Sequence, residues 1–170
     1  MAGQPTQTRP GNRAVCRFGQ PQTLRNMAMH TSWLIAIDGS APSLKVIDFV
    51  ITEAASRVAP PQLLLVNVQA PLSGNITRFI DEKVVSDFHR EAGDAALAQA
   101  RQKLEAAGLA HSAHIMIGET APTLVELAKD KACNMIVMGA RGLGSVAGLL
   151  MGSVAVKVVK LSTVPVLLVK

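Results

Sequence analysis

Five short apolar stretches recur along this chain, each followed by residues that favour turns. Trp33-Leu34-Ile35-Ala36-Ile37 runs without a polar break and ends at Asp38-Gly39-Ser40. Residues 62–68, 113–117, 134–138 and 164–169 repeat the theme. Continuous rather than alternating apolar residues mean burial on both faces, as in strands of a parallel sheet. Between them the period changes to that of a helix. Over residues 41–58 the apolar stripe is Leu44, Ile47, Val50, Ile51, Ala54 and Val58, and Pro60-Pro61 break the run. Over residues 82–107 it is Val84, Val85, Phe88, Ala92, Ala96, Ala100 and Leu104, with Gly108 as a natural stop. Pro122 opens a third helix carrying Leu124, Leu127 and Ala128. A fourth starts at Ser153 and ends near Leu161. The alternation predicts an α/β fold: a single doubly wound domain, a five-stranded parallel sheet with helices on both faces and right-handed crossovers. Pro165 cannot donate to a ladder, which puts the last strand, with Val164 and Val169 at its ends, at a sheet edge.

Composition adds boundaries. A chain of 170 residues, 49% hydrophobic and 17% charged, supplies one core. It has four Phe, one Trp and no Tyr, so Ala, Val and Leu must fill the interior. No apolar run approaches the roughly 20 residues that span a bilayer. Cys16 and Cys133 have no metal-ligand spacing. A soluble, reducing, cytoplasmic setting is the expectation. The net charge of +5 is mostly local, because residues 1–30 hold Arg9, Arg13, Arg17 and Arg25 and no acid. Without those four, the 17 basic residues fall to 13 against 12 acidic ones. No basic stripe with interleaved aromatics remains, so nucleic acid is not an expected partner. The first 30 residues are polar, rich in Pro, Gly and Gln, and aperiodic. They read as a disordered tail, or as an over-extended start with Met27 or Met29 as the true beginning. An Arg-rich, acid-free segment also suits an organelle transit peptide, but little amphipathic pattern supports that. The domain is expected over residues 31–170.

The chemistry gathers near the C-terminus. The apolar run ending at Met138 leads into Gly139 and Gly142, nine residues intervene, and Gly152-Ser153 opens a helix. Strand, glycine loop and helix in that order make an anion site. Glycine permits positive φ and close backbone approach, and a helix N-terminus offers free N–H groups and partial positive charge. A tight loop packed against the sheet is the plainer alternative. Asp38 ends the first strand. If strands one and four are neighbours, Asp38 and the loop face one crevice, where ligands of such sheets bind. An aspartate there suits a ribose hydroxyl, a base amine or a metal ion. The alternative is helix capping by Asp38 or Ser40.

The spacing G-2x-G-9x-G-[ST], here Gly139, Gly142, Gly152 and Ser153, resembles the nucleotide signature of the universal stress protein family. The segments AIDGS (36–40), LLLVNV (63–68), IGETAPTLVELAKDKACNMIVMGARG and TVPVLLV are similar to that family as well, from about Ser32 to Lys170. Asn67 stands where the family often has a His. The resemblance implies a Rossmann-like fold of the adenine nucleotide alpha hydrolase-like kind, and the family's ATP-binding branch. Asp38 would contact the ribose, the backbone of Val68 the adenine, and Met138 would line the nucleotide. Gly139, Gly142 and Gly152 would let amides wrap the phosphates, Ser153 would donate its hydroxyl, and the backbone of Val154 would help. Arg141 would reach a phosphate or remain a solvated surface arginine. ATP with Mg²⁺ is the implied cofactor. A homodimer through the last strand is the implied assembly, with the loop from Leu143 to Met151 ordering over phosphate.

Catalysis is weakly indicated. The loop lacks the lysine of GxxxxGK[ST], and no acid or His lies in the motif to act as base. Lys157 is expected to face solvent, His89 to sit on a polar helix face, and His111 and His114 to point to opposite faces of a strand. The expected function is a nucleotide-dependent regulatory or signalling dimer of the stress response, with at most slow ATP hydrolysis. The alternatives are a small nucleotide-hydrolysing enzyme of the same fold and a ligand-free structural dimer. A receiver domain would need an acidic pair after strand one and an Asp after strand three, where Gly118-Glu119 stands instead.

Overall fold

Leu34, Ile35, Leu65, Ile136 and Val137 are fully buried, and they come from the three central strands of one sheet. The computed structural model of the chain describes residues 31–74, 80–143 and 151–170. The expected tail (1–30), Cys16 and most of the expected phosphate flap (144–150) lie outside the described residues.

The strands are β1 (Ser32–Ala36), β2 (Gln62–Gln69), β3 (His111–Ile117), β4 (Met135–Gly139) and β5 (Val166–Val169). They form one five-stranded sheet in the order β3-β2-β1-β4-β5, and all four pairings are parallel. The helices are α1 (Ala41–Ala55), α2 (Glu82–Ala106), α3 (Thr120–Asp130) and α4 (Ser153–Leu161). Successive side chains of a strand point to opposite faces, and the core divides accordingly. Trp33, Ile35, Leu63, Leu65 and Val137 pack with α1 and α2. Leu34, Leu64, Val66, Ile136 and Met138 pack with α3 and α4. Each large buried side chain contributes about 1.5–3 kcal/mol. This is the doubly wound α/β arrangement that the alternating pattern predicts.

Local boundaries differ where packing competes with periodicity. Helix α1 ends at Ala55, where the Ser56 N–H donates to Thr52 O. Val58 lies beyond that end and is fully exposed, so it is not part of the buried stripe. In α2 the buried residues are His89, Gly93, Leu97, Ala100 and Leu104. Val84 (56% exposed) and Phe88 (53% exposed) leave the predicted stripe, and His89 (4% exposed) joins the core instead of a polar face. Gly93 supplies the reason. A Cβ there would meet Ile115 Cγ2 at 2.5 Å, so the helix backbone rests directly on β3 at that point. With the backbone of Gly93 seated on β3, the buried positions of that half are 89 and 93, each one residue after the expected 88 and 92. Strand β5 begins at Val166 rather than Val164. Pro165 precedes it and spends its carbonyl on Ile136 N–H at 3.0 Å, while β5 holds the predicted sheet edge beside β4.

Candidate functional site

Strands β1 and β4 are paired from Trp33 with Met135 to Ala36 with Met138. Their connections leave in opposite directions along the sheet, so their carboxyl ends flank a crevice.

On the β1 side, the chain leaves the strand through Asp38 and Gly39. Gly39 takes φ +81, and a Cβ there would stand 3.2 Å from Ala96 Cα of α2. Ser40 is the N-cap of α1, its hydroxyl accepting from the Ser43 N–H. Asp38 is therefore not the cap. Its Oδ1 accepts from the Ser40 N–H at 3.0 Å and from the Ser40 hydroxyl at 2.5 Å, and its Oδ2 accepts from the Leu143 N–H at 3.0 Å. Partial burial alone would raise its pKa. The Ser40 hydroxyl, the Ser40 N–H and the Leu143 N–H outweigh burial and hold the carboxyl below its ordinary value.

On the β4 side, Ala140 N–H donates to Val169 O and Gly152 N–H donates to Ala140 O, both at 2.8 Å. The two ends of the glycine loop are thus closed on each other. Helix α4 then starts with Gly152 as an N-cap that has no side chain to satisfy the first N–H groups. Those amides and the helix dipole suit an anion. None of the three motif glycines has positive φ, contrary to one of the two reasons expected for them. Close approach is what requires two of them. A Cβ on Gly142 would meet Asp38 Oδ2 at 2.5 Å, and one on Gly139 would meet Arg141 O at 2.7 Å. Gly152 is different. It has φ −73, and a Cβ would make only ordinary contact, 3.6 Å from Ala140 O.

The third wall is β2. Asn67 is buried, and its Nδ2 donates to Ile37 O at 2.7 Å, which fixes the end of β2 against the exit of β1. Gln69 Nε2 donates in turn to Asn67 Oδ1. Among the described residues these walls enclose a cavity of about 340 Å³. Asp38, Val68, Met138, Gly139, Arg141, Gly142, Gly152, Ser153 and Val154 all line it, although the sequence scatters them over four segments. Ile37, Ser43, Ala70 and Thr120 also line it and were missed by the motif reading, while Leu143 lines it as the first residue of the loop expected over phosphate. Thr120 was open to the same logic as Asp38, since it follows a strand at the same sheet end. The others carry no chemical signal in sequence. Lys157 is exposed, as expected, and pairs with Glu119 at 2.7 Å. Among the described residues no three His, Cys, Asp or Glu side chains gather as a metal site, and no helix is long and apolar enough to cross a membrane.

The model of the Universal stress protein family matches residues 29–170. The chain is similar to the universal stress protein YxiE of Bacillus subtilis, 33% identical over 150 residues that cover 84% of this chain and 100% of the relative. It shares its fold with hypothetical protein MJ0577 of Methanocaldococcus jannaschii, at a TM-score of 0.71 and 24% identity over 84% of this chain and 96% of that one. A universal stress protein solved in complex with cAMP aligns with a TM-score of 0.56 and 28% identity, over 82% of this chain and 96% of that one. The chain belongs to the universal stress protein family.

Proposed function

We propose that this protein binds an adenine nucleotide, with ATP as its full ligand, and works as a nucleotide-dependent regulatory dimer of the stress response. The observation that carries the reading is the convergence of every motif residue on one cavity beside an uncapped helix N-terminus. The similar protein bound to cAMP supports an adenine nucleotide as the ligand class. In this reading Asp38 accepts from a ribose hydroxyl, the backbone of Val68 meets the adenine and Met138 packs against the nucleotide. Gly139, Gly142 and Gly152, the Ser153 hydroxyl and the Val154 amide hold phosphate, and Arg141 reaches it from the loop.

The cavity fits that ligand. Both Asp38 oxygens are already acceptors, and the donors lining the cavity are amides, the hydroxyls of Ser43, Thr120 and Ser153 and the Arg141 side chain, which is a phosphate environment. Mg²⁺ would arrive on the triphosphate, as it does where few protein carboxylates are on offer. Asp38 is the one carboxylate lining the cavity among the described residues, and its lowered pKa makes it a poor base. These features favour binding with at most slow hydrolysis. The half-exposed edge strand β5, beside exposed Val156, Val159 and Leu161 of α4, supports a homodimer through β5. A cytoplasmic setting completes the proposal.

The test is equilibrium binding of labelled ATP to the wild-type chain and to Gly152→Val, with turnover measured alongside. Among the described residues a Cβ at Gly152 would meet nothing closer than 3.6 Å, so the variant is expected to keep its fold while its added bulk crowds the phosphate amides. Binding by wild type alone supports the assignment, and equal binding by both rejects it.

A further inference from the structure

A second cavity, of about 330 Å³, lies on the other side of Arg141. Pro42, Lys45, Ala140, Arg141, Val169 and Lys170 line it. Three of these six residues are cations, and no Asp or Glu is among them. They arrive from separate places: Lys45 from the first turns of α1, Arg141 from the loop after β4, and Lys170 from the end of β5. The ion pairs of the described residues involve none of the three side chains. Elsewhere on the surface Arg57, Arg90, Arg101, Lys103 and Lys157 pair with an acid, while Lys83, Lys129, Lys131 and Lys160, which line neither cavity, have no ion pair among the described residues. Like charges gathered around one concavity repel and raise the local concentration of anions. The α1 N-terminus adds its partial positive charge beside Pro42.

We infer that this basic cavity is a second phosphate site, adjoining the glycine cradle through Arg141. Ala140 and Arg141 line both cavities, so the Arg141 guanidinium is within reach of either anion position. Arg suits that place because its fork of donors serves two phosphate oxygens at once. Lys45 and Lys170 act as mobile point charges on the far side. The phosphate group comes either from the distal end of a nucleotide seated in the glycine cradle or from a separate phosphate-bearing molecule. The inference rests on the nucleotide reading for its first source and stands apart from it for its second.

The experiment is calorimetric titration of the full chain and of the double variant Lys45→Gln/Lys170→Gln with AMP, with ATP, and with inorganic phosphate in the presence of saturating AMP. Both lysines are exposed and unpaired, so the variant is expected to fold as wild type does. About tenfold weaker ATP binding with unchanged AMP binding assigns the cavity to the distal phosphates. Unchanged AMP and ATP binding with loss of phosphate binding assigns it to a separate molecule. Equal behaviour of the two proteins toward all three ligands overturns the inference and leaves the nucleotide reading intact. If the wild-type chain binds neither nucleotide, the nucleotide reading fails by itself. Phosphate alone then decides: weaker binding by the variant upholds the second site, and equal or absent binding overturns it.

Discussion

Asp38 Oδ2 accepts a hydrogen bond of 3.0 Å from the N–H of Leu143, 105 residues further along the chain. This contact ties the exit of β1 to the glycine loop that follows β4. It also explains Gly142, because the carboxylate that holds Leu143 occupies the space a Cβ would need.

The motif glycines should therefore divide into two kinds. Gly142→Ala is expected to displace Asp38 and cost about 1–3 kcal/mol, the penalty of disturbing its part-buried hydrogen bonds with Ser40 together with the exposed one from Leu143. Gly152→Ala is expected to change stability by less than about 1 kcal/mol, since among the described residues its Cβ meets nothing closer than 3.6 Å. Urea unfolding of the two variants checks this, and equal destabilisation would contradict it.

Asp38 should give the protein an acid-sensitive component of stability. Its folded pKa lies below the unfolded value, near 3.9 for an aspartate. The stability it contributes is fully present above that unfolded value and is lost as pH falls through the folded one. The stability gap between wild type and Asp38→Asn is thus expected to be constant from pH 7 to about pH 5 and to shrink towards pH 3. Denaturant midpoints of both proteins across that range measure it. A gap that widens on acidification would reverse the sign and reject the hydrogen-bonding account.

His89 is expected to be a destabilising residue in its present place. It is 4% exposed, and its Nδ1 has no hydrogen-bond partner among the described residues. A buried unpaired polar atom costs about 1–3 kcal/mol, whereas an apolar group of similar size there costs nothing of that kind. His89→Leu should raise the urea midpoint with an unchanged m-value. A lower midpoint would mean that the imidazole is satisfied in solution.

Gly93 and Ile115 should be coupled. Gly93→Ala drives a methyl to within 2.5 Å of Ile115 Cγ2, an overpacking expected to cost about 1–3 kcal/mol. Ile115→Ala leaves a void on the same spot. The double variant should be more stable than the sum of the two single effects predicts, by at least about 0.5 kcal/mol. Additivity in a double-mutant cycle would show that the helix does not rest on β3 there.

Most of the fold was legible because each strand is a continuous apolar run and each helix an apolar stripe, and these periods follow from backbone geometry alone. What failed was local and had a physical cause. The stripe of α2 was misplaced at Val84 and Phe88 because Gly93, with no side chain, is silent in any hydrophobic pattern, yet it decides which face meets the sheet. His89 was misread for the same reason. Pro60-Pro61 marked the end of α1 only approximately, since a proline forbids helix nearby without saying where the last turn closes.

The candidate site divides in the same way. Gly139, Gly142, Gly152 and Ser153 were visible because small residues at set spacing follow a strand and open a helix; close approach requires glycine at 139 and 142, whereas Gly152 has room for a Cβ among the described residues. Asp38 was visible because it ends an apolar run. Sequence by itself determined the alternating elements, the parallel sheet and the residues able to carry chemistry, since those depend on side-chain type and near neighbours. Only the tertiary structure decided that β1 lies beside β4, that Asp38 holds Leu143, and that Lys45, Arg141 and Lys170 meet at one cavity. Those contacts join segments dozens of residues apart, and strand order in a parallel sheet is settled by packing of the whole core, which no local pattern records.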